Sequence, residues 1–167
     1  MELSFKKFLE SQSYWGDQGA GILAIATDIG KWLVAFRSEY VMEPGTWGII
    51  GGKIDEEDAS NPQLAAKREF IEETKYTGPI KLTKASIWKS PEIDPYTNKP
   101  VFIFHNFIGE IVKGRWEPEI DWETEYFKWV SYDELMRLSP KHYGLNYLLQ
   151  NSKNIINKKS QQYQGIV

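Results

Sequence analysis

Gly51-Gly52, followed after an acidic loop by Arg68-Glu69-Phe70-Ile71-Glu72-Glu73, is the stretch that decides how this chain is read. Asn61-Pro62 ahead of the second part is a helix-start signal, because Asn is a good N-cap and Pro suits the first helical position. On that helix Glu69, Glu72 and Glu73 are spaced i, i+3 and i+4 and share one face. They fall within about a quarter of the circumference. Leu64 and Ile71 lie on the opposite side, which is expected to face a core. Packed carboxylates repel one another. A hard divalent cation among them removes that cost, since Mg2+ takes oxygen ligands and keeps open positions for phosphate. For the glutamates taken alone, a solvated acidic face is the alternative. The glycine pair lets backbone approach a ligand closely, since neither residue carries a side chain.

This run resembles the Nudix box of the pyrophosphohydrolase family. Gly52 matches the leading glycine, and Arg68, Glu69, Phe70, Glu72, Glu73 and Tyr76 match the second half in order. The approach is similar too, through Trp32 to Ser38 and then Pro44-Gly45-Thr46-Trp47-Gly48-Ile49-Ile50 to the glycine pair. Three positions depart from the pattern. The loop is two residues longer, so the first box glutamate falls on Asp58 counting forward from Gly52 and on Ser60 counting back from Arg68. Lys75 replaces the glycine after the helix, where a positive φ would penalise a side chain. Ile50 replaces the usual proline.

The resemblance implies an α/β fold, a Nudix-type α/β/α sandwich with a mixed β-sheet. It implies hydrolysis of a P–O–P linkage with Mg2+, or Mn2+, as cofactor. The metal ligands would be the Gly52 carbonyl, Glu69, Glu72 and Glu73, with Asp58 in the place of the missing loop glutamate. Arg68 points off the carboxylate face and is read as an organiser that pairs with Asp58, Glu57 or Glu56. The family often takes a further acid from the loop before the last strand, which here holds Glu119, Asp121, Glu123 and Glu125. Glu123 and Glu125 are the candidates, and spacing does not rank them. Arg37 and Lys53 flank the glycine loop and are expected to bind substrate phosphates. Tyr96, with Trp15, Tyr40 and Trp88, is a candidate to stack on a nucleobase. His105 and His142 are expected to be packed side chains rather than ligands.

The segment from Ser90 to Pro100 carries three prolines, Asp94 and Tyr96, and is long enough for a lid. Pro91 stands about where ADP-ribose-cleaving members tend to carry a proline beyond the box. ADP-ribose or a dinucleotide is therefore favoured over a simple nucleoside triphosphate. The alternatives are a dNTP or NTP pyrophosphohydrolase, a non-catalytic nucleotide-binding module on the same fold, and an enzyme acting on RNA ends. Fold alone does not choose among them.

The bulk properties are consistent with this. The chain has 167 residues, 41% hydrophobic and 26% charged, with a net charge of −3. That suits one soluble domain. The balance offers no general attraction to nucleic acid or an anionic membrane, so a small nucleotide is the expected partner. There is no cysteine, which excludes disulfides and thiolate chemistry. No signal-peptide or membrane-spanning run is seen, and a cytoplasmic location is the default.

Periodicity predicts strands over 19–27, 31–37, 47–50, 80–88, 101–112 and 126–130. The first two and the 101–112 run are apolar on both faces, as in a sheet covered on both sides. A capping box at Ser131 and Glu134 predicts a helix from Tyr132. Another is expected to open at Ser139-Pro140 and bury Leu145, Leu148 and Leu149. Phe5, Phe8 and Leu9 suggest a short amphipathic helix that packs on the sheet edge or on a second subunit, so a homodimer is left open. Residues 1–151 are read as the domain, and 152–167 as a polar tail that frays.

Overall fold

The computed structural model describes residues 18–58 and 60–164, so the amphipathic segment at Phe5 to Leu9 and Trp15 lie outside the described residues. Among the described residues seven strands form one mixed sheet: β1 (Gln18–Ala26), β2 (Lys31–Arg37), β3 (Trp47–Gly48), β4 (Ile50–Lys53), β5 (Lys81–Lys89), β6 (Ile103–Ile111) and β7 (Thr124–Val130). The main path runs β3-β2-β1-β6-β5, with β4 also paired to β1 and β7 to β2. β1 and β6 are parallel, and the other pairings are antiparallel. The expected α/β sandwich with a mixed sheet is what forms.

The sheet is covered on both faces, and alternation sorts its side chains into two cores. Ala20, Ile22, Ala24, Leu33, Ala35 and Phe107 face α1 (Pro62–Thr74). Leu23, Ile25, Trp32, Val34 and Ile108 face α2 (Tyr132–Arg137), α3 (Tyr143–Asn151) and α4 (Lys153–Tyr163). The β1 strand is buried on both faces, as its continuous apolar run requires.

Asn61 caps α1 as expected, its side chain accepting from the backbone of Gln63 and Leu64. Lys75 ends the helix at φ 61°, so it occupies the left-handed position that favours glycine. The inward face of α1 differs from expectation. Leu64 and Ile71 are 51% and 44% exposed, and Ala65, Ala66, Phe70 and Thr74 are buried instead. The small alanines let the helix lie close on β1, and Phe70 fills the space beyond, edge-on to Tyr76 at 5.9 Å. Glu73, seven residues after Ala66, falls almost in line with it. It therefore points inward, not into solvent.

Two further expectations are corrected. The helix expected at Ser139-Pro140 starts later, at Tyr143, because Trp47 first bonds the Pro140 carbonyl and the His142 amide. The segment read as a fraying tail is largely the helix α4. Ile156 and Ser160 are buried, Trp32 Nε1 donates to Ser160 Oγ at 2.8 Å, and Lys159 and Tyr163 both bond Glu110. A polar helix docks when its few apolar positions and hydrogen bonds meet complementary groups on the sheet. Among the described residues no helix is long and apolar enough to cross a membrane.

Candidate active site

The site is built where α1 crosses the end of β4. Gly52 pairs with Ala20 across β1, and its Cα faces the carboxylate of Glu69. A Cβ added at Gly52 would collide with that carboxylate, and one at Gly51 would overlap the backbone of Ala20 and Gly21. Both glycines are thus required by close approach. Their sequence signature reports a real steric constraint.

Arg68 organises the loop. Its Nε and Nη2 meet the two Asp58 oxygens at 3.0 and 2.9 Å, and Nη2 also donates to the Lys53 carbonyl at 3.1 Å. From the other end of the guanidinium, Nη1 donates to Glu69 at 2.9 Å and Glu72 at 3.4 Å. Hydrogen bonds from Arg68 hold the Asp58 carboxyl below its ordinary range, and Asp58 in turn strengthens the arginine's charge. Asp58 also accepts from the Asp55 amide at 2.8 Å. Its buried carboxylate fastens the loop to Arg68. Arg68 thus contacts Asp58, Glu69, Glu72 and the Lys53 carbonyl at once.

The glutamates differ sharply in environment. Glu72 lies at the exposed rim, Glu69 is largely covered, and Glu73 is only 8% exposed. Burial, followed by the repulsion of Glu123, Glu69 and Asp121, pushes the Glu73 carboxyl well above its usual range. Burial also raises Glu69, against the pull of Arg68. One oxygen of Glu73 is buried without any hydrogen-bond partner. An orphaned buried carboxylate oxygen needs an explanation.

Of the two loop acids, Glu123 joins this cluster and Glu125 does not. The β2–β7 register shifts between Phe36 and Arg37, whose partners are Tyr126 and Thr124. Glu125 is left unpaired between them and turns outward into solvent, as a bulged residue does. Burial and then the charges of Asp121 and Glu69 push Glu123 up to about 7. Asp121 also shapes the loop, its Oδ1 accepting from the amides of Glu123 and Thr124 at 2.9 and 3.2 Å. Sequence reasoning passed over this role, although an aspartate two residues before the acid is a turn signal.

Arg37 ends β2 as a half-buried cation. Its Nε donates to the Met42 carbonyl at 2.8 Å, and it feels the charges of Glu123, Glu43 and Glu73. Burial lowers its pKa and those acids oppose the shift. Lys53 lies next to Gly52 and pairs with Asp55 at 3.4 Å. Tyr96 is not brought to the cluster. It stands 96% exposed in the β5–β6 connection, with only its backbone held by Asp94 at 2.8 Å. His105 is partly buried against Gln18 at 3.0 Å, and His142 caps α3 by accepting from the Gly144 amide at 3.0 Å.

The donor set of this cluster is all oxygen, carries excess negative charge, and includes the buried, orphaned Glu73 oxygen. That chemistry fits a hard divalent cation, whose charge would offset the repulsion. Among the described residues no three acidic or histidine side chains already converge as a closed cage. Glu69 and Glu72 are instead turned to Arg68.

Comparison with known proteins gives the family and the fold. The family described as NUDIX domain matches residues 17–150. No curated protein sequence matches the chain. Among solved structures, a Nudix hydrolase from M. smegmatis, RenU, superposes with a TM-score of 0.68 at 21% identity, covering 85% of this chain and 86% of its own. The C. elegans Ap4A hydrolase in a binary complex gives 0.60 at 17% identity, covering 85% and 98%. The NUDIX domain of Shewanella oneidensis NrtR, complexed with ADP ribose, gives 0.59 at 14% identity, covering 84% and 88%. At these identities the likeness establishes the fold.

Proposed function

The chain belongs to the Nudix hydrolase family, and from that membership we propose that it hydrolyses the pyrophosphate linkage of a nucleoside diphosphate derivative, of the ADP-ribose or dinucleotide type, with Mg2+ or Mn2+. The observation that carries this reading is Glu73, a buried carboxylate with an unpaired oxygen, within the charge field of Glu123, Glu69 and Arg37. Such a group is costly to keep unless it has a ligand to meet.

Each residue then has a task. Arg37 and Lys53 receive the phosphate oxygens, and Arg68 holds Glu69 and Glu72 in place while Asp58 holds Arg68. A cation held by Glu69, Glu72, Glu73 and the Gly52 carbonyl would neutralise charge on the phosphate oxygens. Water attacks one phosphorus in line with the bridging oxygen, and the P–O bond to that oxygen breaks. Glu123 takes the proton, and a carboxyl near 7 is matched to accepting one at neutral pH. Glu125, turned outward, has no such task.

The size of the substrate is argued from the length of the β5–β6 connection, which an Ile93–Pro100 bridge ties together. Two similar structures, an Ap4A hydrolase and a NUDIX domain with bound ADP ribose, lend the same class support. We place the protein in the cytoplasm, with a small nucleotide and no nucleic acid as its partner. A substrate panel at matched Mg2+ tests this. ADP-ribose or a dinucleotide should show the higher kcat/KM. A dNTP preference of about tenfold, or roughly 1.4 kcal/mol in transition-state binding, would move the assignment to triphosphate hydrolysis. Binding without turnover would make the chain a non-catalytic module.

A further inference from the structure

The pairing of β2 with the acid loop does not stop at its last ladder pair. Arg37 stands opposite Thr124 in the shifted β2–β7 register, and Ser38 carries the contact one residue further. The Ser38 amide donates to the Glu123 carbonyl at 3.0 Å. Its hydroxyl donates to the Trp122 carbonyl at 2.6 Å and accepts from the Tyr40 amide at 3.3 Å. Ser38 is buried, only 7% exposed.

Together with Asp121, these contacts take up the backbone on both sides of Glu123. The peptide unit entering Glu123 has its carbonyl, that of Trp122, held by the Ser38 hydroxyl, and its amide held by Asp121 Oδ1 at 2.9 Å. The unit leaving it has its carbonyl held by the Ser38 amide, and its amide, that of Thr124, held by Asp121 Oδ1 at 3.2 Å. All four polar groups flanking the Glu123 Cα are therefore occupied, two by Ser38 and two by Asp121. Peptide units are planar, so holding both of them sets φ and ψ of Glu123 and the direction in which its side chain leaves the loop. Asp121 belongs to the loop itself and shapes it from within. Ser38 belongs to the end of β2, and it ties the loop to the sheet next to Arg37, its neighbour in the chain.

We propose that Ser38 is a positioning residue for the reaction, whose hydroxyl sets the Glu123 carboxylate against the attacking water and keeps it in register with Arg37. The inference rests on the hydrolase reading, in which Glu123 accepts the proton. A base displaced by about 1 Å keeps its chemistry and loses much of its rate. The hydroxyl can be removed alone, because Ser38→Ala leaves the backbone amide in place. The loop keeps its other anchors in that variant. Asp28 accepts from the amides of Lys113 and Gly114 at 2.9 and 2.8 Å. The Thr74 carbonyl accepts from Trp116 Nε1 at 3.2 Å and from the Glu119 amide at 3.4 Å.

A double-mutant cycle over Ser38→Ala and Glu123→Gln, read by steady-state kinetics with ADP-ribose in Mg2+, tests it. Ser38→Ala should lower kcat roughly ten- to hundredfold and leave KM within about twofold, as for a misplaced group that does not bind substrate. In the Glu123→Gln background the same substitution should change kcat by less than about twofold, since no base is left to misplace. In protein free of metal and ligand, amide hydrogen exchange at Glu123 and Thr124 should quicken in Ser38→Ala while α4 exchanges as before. Ser38→Cys, close in shape but a weak donor, should lower kcat to a lesser degree, and it serves where the alanine variant does not fold. An unchanged kcat in Ser38→Ala, an equal loss in both backgrounds, or unaltered exchange would overturn the role of Ser38 and leave the hydrolase reading standing. That reading fails by a different result: wild type that cleaves no diphosphate, or Glu123→Gln as fast as wild type, removes the base and the task of Ser38 with it.

Discussion

Arg68 and Asp58 meet edge to edge, two parallel hydrogen bonds of 3.0 and 2.9 Å tying the box helix to the loop that leads into it. Asp58→Asn replaces a buried charge-assisted pair with a weaker one and should cost about 2 kcal/mol. If fastening Arg68 is the whole task of Asp58, the Mg2+ concentration for half-maximal rate should stay within about twofold. Thermal melts and a Mg2+ titration of activity check both halves. A large rise in the Mg2+ requirement with an unchanged melt would return Asp58 to the metal.

Glu73 should separate stability from activity. In the absence of metal its carboxylate is buried, short of a partner and repelled by Glu123 and Glu69. Glu73→Gln removes that repulsion, so the variant should melt higher than wild type in EDTA. Activity should fall about a thousandfold, as expected when a group that helps hold the metal is lost. Mg2+ should raise the melting temperature of wild type and leave the variant nearly unmoved.

The acid limb of the rate profile should belong to Glu123. Its carboxyl is pushed up to about 7 without metal, and a bound cation lowers it. Only the ionised form accepts a proton, so activity should rise with pH through an apparent value at or below 7. Glu123→Gln should lose most activity and the acid limb with it. Glu125→Gln should keep both, and a profile altered only by Glu125→Gln would reverse the assignment.

His142 gives a stability prediction of opposite origin. Its pKa falls from 6.5 to about 3 on folding, because burial and Arg37 disfavour the charged ring. The unfolded chain binds the proton more readily, so this contribution is fully present above about 6.5 and is lost as pH falls toward 3. His142→Asn keeps an N-cap side chain but has nothing to titrate. Across pH 6.5 to 4.5, above the ordinary carboxylate range, the melting temperature of wild type should fall relative to the variant. A constant difference across that window would contradict the cause given.

Local signals in the sequence were reliable. Asn61-Pro62 caps α1, Ser131 and Glu134 form the capping box of α2, and the glycine pair marks a real close approach. What escaped it depended on distant partners. Leu64 and Ile71 looked like core residues, but Ala65 and Ala66 let α1 lie closer on β1 than larger side chains would. The helix α4 has too few apolar positions to announce itself, and it is fixed by Trp32 and Glu110, far away in sequence. Glu123 could be told from Glu125 only once the shifted β2–β7 register had turned one inward and the other out.

The central claim is that the oxygen cluster at Gly52, Glu69, Glu72 and Glu73 performs metal-dependent cleavage of a nucleoside diphosphate derivative. Incubating wild type with ADP-ribose in Mg2+ and in EDTA, and separating the products by chromatography, tests it most directly. The account predicts AMP and ribose 5-phosphate in Mg2+, and neither in EDTA nor with Glu73→Gln. Equal turnover in EDTA, or full turnover by Glu73→Gln, would contradict it.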